Sequence, residues 1–190
     1  MILPIVKYGH PVLRQKGVRV EKIDAEIKHL IDNMLETMLS AKGIGLAAQQ
    51  VGRALLLVVL DIRGITDRPS TVRQDGKEID PNSIMPLILL NPEIKPGGEH
   101  VIGSEGCLSF PEIFGEVSRP ARVEVRAMNQ KGEMLAIQCG GLLARAIQHE
   151  VDHLNGILYI DRMTRVEKDE LQAELDELQA KTKAELKKRK

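Results

Sequence analysis

Between Asp24 and Lys42 the apolar residues Ile27, Leu30, Ile31, Met34, Leu35, Met38 and Leu39 recur at three- and four-residue steps. That spacing predicts one stripe of an amphipathic helix. Asp24 suits the N-cap, where a carboxylate accepts a free backbone N–H, and Gly43 suits the position just past the last turn. After the segment GIGLAAQQVG (43–52), the pattern changes to a continuous apolar run, ALLLVVLDI (54–62), which predicts a strand buried on both faces. Residues 63–85 are polar and read as an exposed excursion, with Asp75-Gly76 as a two-residue hairpin signal. PLILLNPEI (86–94) predicts a further strand, and ARVEVRAMNQKGEMLAIQ (121–138) alternates around NQKG as a hairpin.

Helical spacing returns at Gly141–His153, where Leu143, Ala146, Ile147, Val151 and Leu154 surround two histidines. Apolar and chemically active faces both have to point inward, so this helix is expected to be buried. A last helix, about Arg165–Lys188, is charged apart from a thin seam of Leu171, Leu175 and Leu178. Strands joined by hairpins, with helices at the start, late middle and end, predict an α+β fold: mainly antiparallel strands around a buried helix, an amphipathic N-terminal helix and a charged C-terminal one. No repeat or linker divides the chain, so residues 1–164 are expected to form one catalytic domain, with 165–190 as its C-terminal helix.

Composition narrows the function classes. The 190 residues carry 27 Lys+Arg and 27 Asp+Glu, so no net field favours nucleic acid or a membrane. Two Phe, two Tyr and no Trp leave little material for stacking bases. No apolar run approaches the ~20 residues that span a bilayer, and the N-terminus lacks the pattern of a signal peptide. Cys107 and Cys139 make no disulfide framework. The chain reads as cytoplasmic and soluble, with no specific DNA partner.

QHEVDH (148–153) holds the most pointed chemistry. His149 and His153, four apart, share one face of a helix and can reach one ion, with Glu150 between them. A catalytic site of this kind takes a third protein ligand and leaves one position open. The extended zincin pattern would place a histidine at position 159, but Tyr159 stands there. Glu167, Glu170 and Glu174 belong to the charged last helix, and of the remaining histidines (His10, His29 and His100) His29 sits beside the apolar stripe of the first helix as a structural residue. Cys107, in EGCLSFP (105–111), could bind as a thiolate, although a lone cysteine is commonly a small core residue.

GIGLAAQQ (43–50), EGCLS (105–109) and QHEVDH (148–153) stand in the order and rough spacing of the three signature motifs of peptide deformylase, and the chain resembles that family over most of its length. GHPVL (9–13) and the R-P-x-x-V-x-V run from Arg119 to Val125 are similar too. The resemblance implies removal of the N-formyl group from the initiator methionine of nascent polypeptides, with release of formate. It implies that Cys107, His149 and His153 hold one divalent ion, Fe(II) in the cell, with Zn(II), Ni(II) or Co(II) able to occupy the same ligand set. Glu150 would serve as general base, and the Gln50 side chain with the Leu108 backbone N–H as donors to the developing oxyanion. Gly43 and Gly45 permit close approach of backbone, and Ile44, Gly45 and Gly106 would pair with the substrate as an added strand. Leu142 and Ala146 are candidates for the methionine pocket.

One position departs from the pattern: Phe114 stands near where bacterial members often carry an arginine. The terminal KTKAELKKRK (181–190) reads as a solvated helix end, with weak contact to ribosomal RNA as the sharper alternative suggested by bacterial relatives. A zincin-like endopeptidase and a non-catalytic metal-binding protein are the rival functions.

Overall fold

In a computed structural model, described over residues 1–188, helix α1 (Ala25–Ser40) follows the expected stripe. Asp24 caps it, accepting from the Ile27 N–H at 3.0 Å. The other end differs from expectation. Lys42, not Gly43, takes the left-handed conformation (φ 54°), and the Lys42 and Gly43 N–H groups close on Leu39 and Met38 carbonyls. Position 43 is glycine for a different reason, since a Cβ there would lie 2.7 Å from Leu108 Cδ1.

Seven strands form one antiparallel sheet: β1 (Gly45–Ala47), β2 (Leu57–Leu60), β3 (Ser70–Gln74), β4 (Lys77–Ile79), β5 (Leu87–Cys107), β6 (Phe110–Met128) and β7 (Met134–Gly140), in the order β1-β2-β5-β6-β7-β3-β4. Period-two alternation explains the continuous apolar runs. Leu57 and Val59 of β2, with Ile88 and Leu90 of β5, pack under α1 against Met34 and Met38. Val58, Leu60, Leu87 and Leu89 face the opposite way, onto Leu143, Ile147 and Val151 of helix α2 (Gly141–Leu154). The sheet is thus sandwiched, and α2 is buried along nearly its whole length.

The strand expected at 86–94 continues to Cys107. Pro96-Gly97-Gly98 looks like a breaker in sequence, but register shifts absorb it between Gly97 and His100, with Gly98 at φ 86°. The extension matters because a tight turn, with Cys107 opposite Phe110, delivers the cysteine to the end of α2.

The polar excursion is also more than exposed loop. Residues 70–79 fold as the hairpin β3–β4 around Asp75-Gly76, both with positive φ, and β3 pairs with β7 through Val72 opposite Cys139. Val72 is fully buried. The single C-terminal helix expected from 165 to 188 is interrupted at Leu171, giving α3 (Arg165–Glu170) and α4 (Gln172–Lys188). Leu171, Leu175 and Leu178 all turn to a third apolar cluster with Leu13, Phe110 and Tyr159. Of the basic tail, Arg189 and Lys190 lie outside the described residues, and Lys187 and Lys188 are exposed. Among the described residues no helix is long and apolar enough to cross a membrane.

Val72→Ala should lower unfolding free energy by about 2 kcal/mol, the cost of a small cavity in a closed core. Urea denaturation reads this directly; a loss near zero would mean that the β3–β4 hairpin is not part of the cooperative unit.

Candidate active site

Helix α2 sets two imidazoles one turn apart, with ring centroids 5.1 Å apart. The β5–β6 turn brings Cys107 Sγ to 3.3 Å from His153 Nε2. One ligand atom each from Cys107, His149 and His153 falls within 4.8 Å of the others, a spacing compatible with a common ion. The donor set fits a divalent metal on a second count: His149 Nδ1 is engaged by Glu105 at 2.9 Å, which leaves Nε2 as its free donor.

Glu105 is a residue that sequence reasoning passes over, and it organises the site. Its carboxylate is buried and accepts from Arg119 at 2.6 and 3.0 Å and from Arg145 at 2.8 Å, in addition to its contact with His149. Burial alone would raise its pKa, but the His149 and Arg119 hydrogen bonds outweigh it and hold the carboxyl well below the usual range. Arg119 also donates to Asp152 at 2.8 Å, and Arg162 closes the network on Asp152 at 2.7 Å. The available signal is the carboxylate two residues before Cys107 and the arginine inside the R-P motif. Neither residue has a spacing rule that pairs it with a helix some forty positions away.

Glu150 is 5% exposed, and among the described residues its Oε2 has no hydrogen-bond partner. Burial raises its pKa to about 7, so near neutrality it can both take and return a proton. Gly45 makes room for it, because the Glu150 carboxylate occupies the place that a Cβ at 45 would take. His153 is driven the opposite way from His149: burial and the neighbouring imidazole push its pKa well down. For His149, hydrogen bonds to Cys107 and Glu105 overcome burial and push its pKa up.

The two neighbouring glutamines have separate environments. Gln50 Oε1 accepts from the Ala47 N–H at 2.8 Å, which fixes the amide so that Nε2 faces Cys107 Sγ and Ser109 Oγ, each at 3.4 Å. Gln49 is fully buried, with neither side-chain polar atom paired among the described residues, and stays outside the cavity.

A cavity of about 630 Å³ opens onto these groups, lined by Cys107, Leu108, His149, Glu150 and Gln50, and by Gly43, Ile44, Gly45, Gly106, Leu142 and Ala146. Of the site residues expected from sequence His153, at 1% exposure, is the one absent from this lining. Alternative third ligands are ruled out by position. The Tyr159 ring stacks near His149 at 6.0 Å, but its hydroxyl donates to the Ile113 carbonyl. Glu167 caps α3, and Glu170 and Glu174 are exposed. His29 is exposed rather than structural, His100 meets Ser118 Oγ, and His10 accepts from the Val12 N–H. Cys139 lies in the core, where burial pushes its thiol up to about 12 and leaves it unreactive.

Glu105→Gln removes the charge that Arg119, Arg145 and His149 share. Metal affinity, measured by chelator competition, should fall about 10- to 100-fold. A carboxylate with a lowered folded pKa stabilises the fold above its unfolded value near ~4.3 and loses that contribution as pH falls through the folded value. The urea midpoint of the variant should therefore change less on acidification than that of wild type. Equal affinity and equal acid sensitivity would contradict the role given to Glu105.

Comparison with known proteins places this architecture. The family profile described as polypeptide deformylase matches residues 2–169. A peptide deformylase of Opitutus terrae is 46% identical over 186 residues, covering 97% of this chain and 96% of its own. A plant peptide deformylase structure superposes with a TM-score of 0.82 at 40% identity, over 96% of this chain and 92% of its own. The Synechococcus elongatus peptide deformylase, solved in complex with actinonin, gives a TM-score of 0.75 at 39% identity, over 95% and 85%. With a profile match across most of its length and a relative at this identity, the chain belongs to the polypeptide deformylase family.

Proposed function

We propose that this chain hydrolyses the formamide bond of N-formylmethionyl nascent polypeptides, releasing formate and a free amino terminus. The observation that carries the reading is the meeting of Cys107, His149 and His153 donor atoms beside Glu150 and Gln50 in one cavity, in a chain of this family.

Cys107, His149 and His153 would hold a divalent ion, assigned as Fe(II), which would supply Lewis acidity to the site. The remaining chemistry belongs to the chain. Glu150, with a pKa near 7, accepts a proton from the attacking water and hands it to the departing amine, which must leave protonated. Gln50 Nε2, fixed by the bond from Ala47 to its oxygen, donates to the formyl oxygen as charge accumulates there, and the Leu108 N–H is the second donor. A preorganised donor of this kind contributes ~3–4 kcal/mol to the barrier. Ile44, Gly45 and Gly106 in the cavity lining offer main chain for an extended peptide to pair with, which accepts nearly any downstream sequence. Leu142 and Ala146 form the apolar surface for the methionine side chain.

The endopeptidase reading lacks the third nitrogen ligand of the extended zincin pattern, because its position is held by Tyr159, whose hydroxyl donates to the Ile113 carbonyl. A purely metal-storing protein would have no use for a buried carboxylate of pKa near 7 facing a cavity.

Glu150→Gln should retain metal yet lose formate release from formyl-Met-Ala-Ser by about 10²- to 10⁴-fold. Formate is measured by a coupled dehydrogenase, and metal by elemental analysis on the same sample. Metal-replete variant with wild-type turnover would remove Glu150 from the mechanism, and cleavage of internal bonds by wild type would favour the endopeptidase.

A further inference from the structure

The segment between β2 and β3 enters the same cavity through Arg68. Its next two residues are tied to the catalytic helix. The Pro69 carbonyl accepts from the Leu142 N–H at 3.1 Å, and Ser70 Oγ accepts from the Leu143 N–H at 3.0 Å. Ser70 also bridges Gly141, which sits at φ 67° with no space for a Cβ against Pro69. These contacts satisfy N–H groups in the first turn of α2 that lack partners within the helix. They also hold the base of the Arg68 side chain at a fixed place beside Leu142.

Arg68 itself is exposed and, among the described residues, has no hydrogen-bond or ion-pair partner. The other arginine on the cavity wall, Arg145, is already committed to Glu105 and to the Val101 and Val117 carbonyls. Lys7, also in the lining, donates to the Leu108 carbonyl. Arg68 is therefore a guanidinium with five unused N–H donors on the cavity lining, its backbone anchored next to Leu142. An extended peptide bound across the cavity presents carbonyl oxygens beyond its first side chain.

We propose that Arg68 is a substrate-binding residue that donates to the carbonyl oxygens downstream of the formylmethionine, and that the 63–85 segment serves the site by carrying it. The inference rests on the deformylase reading above. The anchored backbone lowers the entropy lost when the arginine engages a peptide. Because its target is main chain, the contact adds affinity for any sequence, and it is felt only by substrates longer than one residue.

The test compares KM and kcat for formyl-Met amide and formyl-Met-Ala-Ser amide in wild type, Arg68→Gln, Arg68→Lys and Arg73→Gln. Arg73, five residues on in β3, has the same charge but lies outside this cavity. Arg68→Gln should raise KM for the tripeptide about threefold to fivefold, the range for an exposed charged contact, with kcat within about twofold. The loss should shrink toward nothing on formyl-Met amide, Arg68→Lys should recover part of it, and Arg73→Gln should match wild type. An unchanged tripeptide KM in Arg68→Gln, or an equal loss on both substrates, would overturn the proposal. Wild type inert toward both substrates would instead overturn the deformylase reading itself.

Discussion

A single buried carboxylate ties the sheet to the histidine-bearing helix α2. Glu105, near the end of β5, is held by Arg119 from β6 and Arg145 from α2, and it passes that restraint to His149. Burying such charges costs several kcal/mol each in lost hydration, and mutual pairing recovers the cost only when geometry is good. The network supplies position. The contact with Glu105 fixes which nitrogen of His149 is free, while the same strand, two residues on, delivers the Cys107 sulfur. One strand end and one helix turn thus converge on a point that neither could define alone.

Glycines serve this convergence through their lack of a side chain rather than through unusual backbone. At 43, 45 and 106 a Cβ would run into Leu108, Glu150 and Phe114 respectively. Each of these contacts packs a side chain of the cavity lining directly onto main chain. Where positive φ is needed at the end of α1, Lys42 bears it, which leaves Gly43 for contact with the residue after Cys107.

Much of this is legible in the sequence because it is local or periodic. The α1 stripe, the doubly buried run of β2, the β6–β7 hairpin and the helical histidine pair each follow from spacing within one element. The motif resemblance points to Cys107 and Gln50, and the geometry separates Gln50 from Gln49 by a backbone N–H that only position 50 meets. Less is readable where long-range packing decides. Pro96-Gly97-Gly98 signals a break, yet the β5–β6 ladder absorbs it as a bulge. Residues 70–79 look solvated because only Val72 is fully buried, with Ile79 packed partly against the same core, and their pairing with β7 lies more than sixty positions away. The Glu105 network is hidden for the same reason: charged residues scattered along a chain carry no mark of being buried together.

The proposed chemistry stands on three atoms, Cys107 Sγ and one nitrogen each from His149 and His153, gripping one ion. X-ray absorption spectroscopy on the zinc-loaded protein tests this most directly. The expected shell is one sulfur at about 2.3 Å and two imidazole nitrogens at about 2.0–2.1 Å, with one light atom completing a tetrahedron. A shell without sulfur, in protein that still releases formate, would contradict it.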